Sequence, residues 1–149
     1  MATPLNYSSK LLKEKAPRAK STNPESKLQI ACVSWFRMQH RQYTGLLWAT
    51  PNGGKRDKRE AERLKAEGVL AGVADITLSV PKCKIHSNGA CGILAKKPIH
   101  GLYIELKYGP GKQSPAQIAF EQAVTAQGYQ YSVCRTLEEF MNVINTYLK

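Results

Sequence analysis

The sequence predicts an α/β fold in which a central mixed sheet carries helices on both faces. Short apolar runs of strand length alternate with longer segments that begin and end with helix-capping residues. The resulting order is helix, strand, helix, strand, strand, helix, strand, helix. The chain has 149 residues, of which 42% are hydrophobic and 22% charged, which fits one folded domain with a single core.

Basic residues dominate the charge. The chain has 22 Lys and Arg against 11 Asp and Glu, a net charge of +11, and this excess favours a polyanionic partner, with nucleic acid as the first candidate. No apolar run approaches the length of a membrane span, so we expect no membrane partner. The four cysteines form no CxxC pair and no secretory signal precedes them, which predicts an intracellular protein with reduced thiols.

Residues 1–22 are polar and basic, contain two prolines and lack a periodic apolar pattern, so we expect a flexible arm that can lie on phosphates. The folded domain should span residues 23–149. Its first helix is predicted over residues 24–39, because Asn23 can cap it, Pro24 suits its first position and Glu25 complements the positive end of its dipole. Apolar residues cover much of this helix, which predicts packing on more than one side.

The segment "GLLWATPNGG" predicts a strand over residues 45–49, followed by a turn in which Asn52 takes part. The segment "KRDKREAERLKAEG" is then a charged helix that ends at Gly68. Its charges are either a solvated face or, in the sharper alternative, phosphate contacts. The residues available for such contacts are Lys55, Arg56 and Arg59.

The connection "PKCKIHSNGACGILAKKPIH" joins a second strand, in "GVADITLSV", to a third, in "GLYIELKY". Cys83, His86 and Cys91 lie close together in it, but three soft ligands at this spacing match no common zinc site, so a loop with free cysteines is favoured.

The last three elements have clear boundaries. Ser114, Pro115 and Gly128 delimit a helix, and "YQYSVC" is the fourth strand. Thr136 and Glu139 have capping-box spacing at the start of the final helix.

Two charged residues occupy the end of the third strand. Glu105 and Lys107 point to the same face because side chains alternate along a strand, and Asp75 lies across from Glu105 if the second and third strands are antiparallel. Two neighbouring carboxylates repel one another unless a cation such as Mg²⁺ lies between them. The alternative is an ion pair at a sheet edge, with Asp75 capping a turn. The spacing alone leaves both interpretations open.

Five segments resemble the VRR-NUC nuclease domain, the virus-type replication-repair branch of the PD-(D/E)XK superfamily, in their order and approximate spacing. They are "ESKLQIACVSWF", "TPNGGKR", "RLKAEGVLAGVADITL", "HGLYIELKYGPGKQSPAQ" and "AQGYQYSVCRTLEEFMNVINTYL". The resemblance runs from about Asn23 to Leu148 and is greatest to short, stand-alone bacteriophage members. It implies a restriction-endonuclease-like core with a four-stranded mixed sheet.

The resemblance also implies an active site. Asp75 matches the motif aspartate, although Ala74 replaces the usual proline before it. Glu105 and Lys107 match the ExK element, and the Leu106 carbonyl is implied as a further ligand of Mg²⁺ or Mn²⁺ beside the two carboxylates.

Supporting roles follow from the two flanking helices. Glu25 matches the glutamate of the first helix, with Gln29 one turn later on its face, and Gln117 matches the glutamine after the catalytic strand. Glu25 could instead only favour a helix N-terminus, and Gln117 could only complete a capping box with Ser114. Tyr129 and Tyr131 are interpreted as packing residues.

The function implied is a metal-dependent DNA endonuclease, a homodimer that acts on branched DNA as Holliday junction resolvases do, in DNA repair or recombination. Flap or replication-fork DNA is the nearest alternative substrate. Two other hypotheses stay open: a DNA-binding module that does not cut, and a nuclease subunit active only with a helicase or replication partner. If the protein is phage-encoded, it would act in the cytoplasm of a bacterial host.

Overall fold

The computed structural model describes residues 23–51, 57–82 and 98–149. In chain order the elements are α1 (Pro24–Gln39), a 3-10 helix (Arg41–Leu46), β1 (Leu47–Ala49), α2 (Lys58–Ala66), β2 (Ile76–Leu78), β3 (Leu102–Leu106), α3 (Pro115–Ala126), β4 (Gln130–Cys134) and α4 (Leu137–Tyr147). The predicted basic arm, Asn52, Lys55, Arg56 and the group Cys83, His86 and Cys91 lie outside the described residues.

The predicted element order is confirmed, and two local predictions need correction. The strand predicted to begin at residue 45 begins at Leu47, because the two residues before it belong to the 3-10 helix. The Thr136 side chain accepts a hydrogen bond from the Glu139 N–H at 3.1 Å, but the Glu139 carboxylate accepts from the Arg135 N–H at 2.6 Å. The second half of that capping box is therefore made one residue earlier than predicted.

The four strands form one mixed sheet in the order β1-β2-β3-β4. The β1–β2 and β2–β3 pairs are antiparallel and the β3–β4 pair is parallel. The parallel pair requires a crossover, and α3 provides it. The prediction of a mixed four-stranded sheet is confirmed.

Alternation along β3 separates the two faces of the sheet. Leu102, Ile104 and Leu106 are buried in a core that α1 and α4 complete, with Phe36 and Phe140 fully buried among them. On the other face the Tyr103 ring meets Phe120 of α3 edge to face, with ring centroids 5.2 Å apart. Helices therefore cover both faces, as predicted, and Glu105 lies on the α3 side.

The prediction that α1 packs on more than one side is confirmed in part: the helix contacts β3, α4 and the 3-10 helix, but not all of its apolar residues are buried. Cys32 and Phe36 are fully buried against the sheet, whereas Ile30 and Met38 are 54% and 62% exposed. Its apolar residues thus form one broad buried stripe and a few exposed positions, a normal pattern for a surface helix.

The two ends of the long connection between β2 and β3 meet. Lys82 and Ile99 form an antiparallel bridge, with N–H to carbonyl distances of 2.8 and 3.1 Å in the two directions. The Lys82 ammonium also donates to the Thr146 carbonyl at 2.7 Å, which fixes the base of the connection to α4. No helix among the described residues is long and apolar enough to cross a membrane.

Gly72 fixes the distance between α3 and the segment that leads into β2. Its φ is +87°, and a Cβ there would lie 2.5 Å from the carbonyl carbon and oxygen of Ala116. We expect Gly72→Ala to destabilise the protein by about 1–3 kcal/mol more than Gly68→Ala, because of this overlap.

Gly68 is the matched control, because its φ is +91° but a Cβ there would meet nothing within 4 Å. The strain of a left-handed conformation, about 1–2 kcal/mol, is common to both variants. Urea unfolding of the two variants measures the difference, and equal losses of free energy of unfolding would contradict the close approach.

Candidate active site

Glu105 is a fully buried carboxylate on the face of the sheet that α3 covers. The antiparallel register pairs Ile76 with Ile104, and its continuation by one residue places Asp75 opposite Glu105. Burial of an ionised carboxyl group is costly unless other groups compensate its charge, so the neighbours of Glu105 determine what this position does.

Three side chains donate hydrogen bonds to Glu105. The Lys107 ammonium lies 2.6 Å from Oε1, and the side-chain amide of Gln117 donates to the same oxygen. The Tyr131 hydroxyl contacts the other oxygen, Oε2, at 3.4 Å. Lys107 is itself only 12% exposed, so its charge is held beside the carboxylate with little screening by solvent.

Asp75 lies at the point where β2 and β3 separate. Its Oδ2 accepts a hydrogen bond from the Leu106 N–H at 2.8 Å, which fixes the side chain against the residue after Glu105. A turn cap of its own strand, the alternative considered for Asp75, would bond to its neighbours in sequence instead. The observed bond crosses between strands, so Asp75 and Glu105 are held as one group.

Glu25 reaches this group from the first turn of α1. Its Oε1 accepts from the Tyr108 N–H at 3.3 Å, and its charge is one of the causes that raise the pKa of Asp75. A role only in the helix dipole therefore does not account for its contacts. Gln29, one turn later, makes no hydrogen bond to this group within the described residues.

Gln117 both completes a capping box with Ser114 and contacts the buried Glu105, the two roles that the sequence left open. Its side-chain oxygen accepts from the Ser114 N–H at 2.8 Å, while its backbone N–H donates to the Ser114 hydroxyl at 3.3 Å, completing a capping box. The amide nitrogen of the same side chain donates to Glu105. The cap therefore determines the orientation of the amide, and the first turn of α3 presents a donor to the buried carboxylate.

Burial is the largest cause raising the pKa of both Asp75 and Glu105. The repulsion of Asp75 raises the pKa of Glu105 further, whereas Lys107 lowers the pKa of both carboxyl groups. Two carboxyl groups this close titrate as a coupled pair. A cluster of perturbed carboxyl groups around a lysine is typical of a functional site.

The donor chemistry of the cluster fits a hard divalent cation. Two carboxylates supply anionic oxygen ligands, and a dication between them would offset the repulsion that raises the pKa of Glu105. Among residues 23–51, 57–82 and 98–149 no group of three or more His, Cys, Asp or Glu side chains is arranged to hold a metal. The ligand set predicted from the sequence contains only two such side chains, Asp75 and Glu105. The Leu106 carbonyl stays a prediction as the third ligand.

Three residues at this site were not identified from the sequence. The sequence predicts a packing role for Tyr131, but its hydroxyl contacts Glu105. Tyr108 supplies a backbone donor to Glu25. The Arg135 guanidinium donates to the carbonyls of the next loop, Gly109 at 3.1 Å and Gly111 at 2.8 Å. The alternation of β4 places Tyr131 on one face with Tyr129, a signal that gives the direction of the side chain but not its partner.

The pH dependence of stability tests the buried carboxyl pair. A raised pKa in the folded state means that the folded protein holds the proton more tightly than the unfolded chain does. Stability from Asp75 and Glu105 is therefore present below the ordinary carboxyl pKa, about 4, and is lost as the pH rises towards the raised values. In EDTA, the wild-type melting temperature should fall with rising pH relative to that of the Asp75→Asn, Glu105→Gln double variant.

Thermal unfolding at a series of pH values measures the difference in melting temperature between the two proteins. The titration of groups that both proteins share cancels in this difference. A difference that stays constant would contradict a raised pKa for the pair, and a difference of the opposite slope would show that Lys107 outweighs burial.

The fold is also found in a solved structure. It is described as a VRR_NUC domain protein, and it matches with a TM-score of 0.66 and 23% sequence identity over 86% of this chain and 90% of its own. No family model matches the chain, and no curated protein matches it. The resemblance found in the sequence is therefore confirmed at the level of the fold, and this chain has the α/β fold of a VRR_NUC domain protein.

Proposed function

We propose that residues 23–149 form a VRR-NUC domain of the PD-(D/E)XK type that hydrolyses phosphodiester bonds in DNA as an endonuclease dependent on Mg²⁺ or Mn²⁺. One observation carries the proposal: a fully buried Glu105 receives the Lys107 ammonium at 2.6 Å, with Asp75 opposite it in the antiparallel register. An ion pair at a sheet edge, the structural alternative, would lie in solvent, where it contributes little to stability. The burial of Glu105 therefore favours a catalytic role.

Asp75, Glu105 and the Leu106 carbonyl would hold the metal ion. When bound, the ion supplies a Lewis acid for the phosphate and lowers the pKa of a water nucleophile. The protein supplies the rest. Lys107 holds a fixed positive charge within 3 Å of Glu105, where charge develops on the phosphate oxygens, and a preformed charge needs no reorganisation during the reaction.

Glu25 and Gln117 act as positioning residues in this mechanism. Gln117 is fixed by its capping box and orients the Glu105 carboxylate. Glu25 holds the backbone of Tyr108 and thereby the chain that continues from Lys107. Because both act through other residues, their replacement should lower the rate less than replacement of Asp75, Glu105 or Lys107.

The substrate we propose is branched DNA cut by a homodimer, in the manner of a Holliday junction resolvase, because a two-fold dimer presents two sites to two symmetric strands. The net charge of +11 supports binding to the phosphate backbone, and residues 1–22 contribute to that charge.

The experiment incubates purified protein with labelled four-way junction, flap, fork, single-stranded and linear duplex DNA in Mg²⁺, Mn²⁺ or EDTA. We expect cutting only with a divalent metal and fastest on the branched substrates. Size-exclusion chromatography with light scattering gives the oligomeric state.

Tight binding with no cutting in either metal would contradict the proposal and favour a DNA-binding module. Cutting that appears only after addition of a helicase or replication protein would instead identify a partner-dependent subunit.

A further inference from the structure

The loop after β3 carries an exposed aromatic ring next to the proposed active site. Tyr108 is 59% exposed although it directly follows Lys107, whose ammonium is bound to Glu105. A single exposed apolar side chain is common on protein surfaces and needs no explanation by itself. Tyr108 differs from an isolated surface residue because several hydrogen bonds hold the backbone around it.

The backbone of this loop is held at four points. The Tyr108 N–H donates to Glu25 at 3.3 Å, and the Tyr108 carbonyl accepts from the Gly111 N–H at 3.1 Å in a tight turn. The Arg135 guanidinium, from the end of β4, donates to the Gly109 and Gly111 carbonyls. The ring is therefore presented by a fixed backbone, and binding of a ligand to it costs little ordering entropy.

The surroundings indicate which ligand the ring would bind. Exposed Lys112 lies on the same loop, and the guanidinium of Arg135 is directed at the loop backbone. Proteins bind single-stranded nucleic acid with exposed aromatic rings, on which bases stack, and with cationic side chains, which follow the phosphates. Tyr108 and Lys112 supply one group of each kind from a single loop. A base inside an intact duplex offers no free face for such stacking.

We propose that Tyr108 is a stacking platform for an unpaired base close to the cleaved phosphate. The inference rests on the proposed function, because it takes the Asp75 and Glu105 pair as the place of cleavage. It defines the substrate class: DNA with unstacked nucleotides at the cut, as at a fork or flap or in an opened junction, rather than continuous duplex. Arg135 is the positioning residue that holds the platform.

The test measures binding in EDTA, so that cleavage plays no part in the result. Fluorescence anisotropy gives the Kd of a labelled fork, and of forks with one abasic site stepped across the branch point, for wild type, Tyr108→Phe and Tyr108→Ala. We expect Tyr108→Ala to weaken binding to the intact fork about 10-fold and Tyr108→Phe, which keeps the ring, to leave it unchanged.

One abasic position should abolish the difference between wild type and Tyr108→Ala, because the ring then has no base to stack on. Binding to linear duplex should be the same for all three proteins. Met38→Ala, an exposed apolar residue at the opposite end of α1 from Glu25, is the control for loss of surface apolar area.

Two outcomes would overturn the proposal. The first is an equal Kd of wild type and Tyr108→Ala for the fork. The second is a loss of affinity in Tyr108→Ala that is the same for the fork, every abasic fork and the duplex. Failure of the proposed function gives a different result. In that case no DNA is cut in any metal, while the base-dependent effect of Tyr108 on binding persists.

Discussion

Glu105→Gln is expected to lower the rate of DNA cleavage by about 10³-fold while DNA binding is retained. The substitution keeps the shape of the side chain but removes the negative charge that would hold the metal ion. Such an ion stabilises the transition state by several kcal/mol, and each 1.36 kcal/mol corresponds to a factor of ten in rate. Single-turnover cleavage of a labelled four-way junction in Mg²⁺ measures the rate. Anisotropy in EDTA measures binding, which should be equal to or tighter than that of wild type because one carboxylate near the phosphate is gone.

Glu121→Gln is the matched control on the neighbouring helix. Glu121 accepts a hydrogen bond from Gln113 at 2.7 Å and makes no hydrogen bond to Glu105 within the described residues. Its replacement makes the same chemical change at a half-buried carboxyl group that does not contact the proposed metal ligands, so the cleavage rate should stay within about threefold of wild type. If Glu105→Gln cleaves as fast as this control, Glu105 is a structural carboxylate and the catalytic proposal fails.

The sequence predicted the elements well because their boundaries are local. Asn23, Ser114 and Gly128 act on the residues beside them, and a cap or a left-handed glycine makes the same contacts whatever the rest of the chain does. The start of β1 was the exception. Leu46 continues the apolar run of the strand in the sequence, but the chain forms a 3-10 helix through Gly45 and Leu46 before it reaches the sheet.

The candidate site could be predicted only in part, because its contacts join distant segments. Alternation placed Glu105 and Lys107 on one face, and an antiparallel pairing was the stated condition for Asp75 to join them; the structure meets that condition. The 2.8 Å bond between Asp75 and the Leu106 N–H, and the contact between Tyr131 and Glu105, depend on strand register and on the position of β4. No spacing in the sequence encodes these contacts.

Lys107→Met is expected to lower the cleavage rate by about 10²- to 10³-fold, as is typical when one fixed group that stabilises transition-state charge is removed. It should also shift the remaining activity to higher pH. Lys107 lowers the pKa of both Asp75 and Glu105, so without its charge both carboxyl groups hold their protons to a higher pH, and a protonated carboxyl group is a poor metal ligand. Single-turnover rates from about pH 5 to 9 in saturating Mg²⁺ measure the shift.

Lys107→Arg separates the two roles of the lysine. A guanidinium keeps the positive charge and so should hold the rising limb of the pH profile near its wild-type position. Its planar fork is larger than the ammonium it replaces, and the lysine is only 12% exposed, so the positive charge is displaced and the rate should still fall. Lys65→Ala, on the exposed surface of α2, controls for the loss of one positive charge from the molecule. A Lys107→Met variant with the wild-type pH profile would show that the ammonium does not control the protonation of the carboxyl pair. If the pH profile moves to higher pH in Lys107→Met but not in Lys107→Arg, the positive charge of Lys107 keeps Asp75 and Glu105 ionised near neutral pH. Metal binding by two buried carboxyl groups depends on that ionisation.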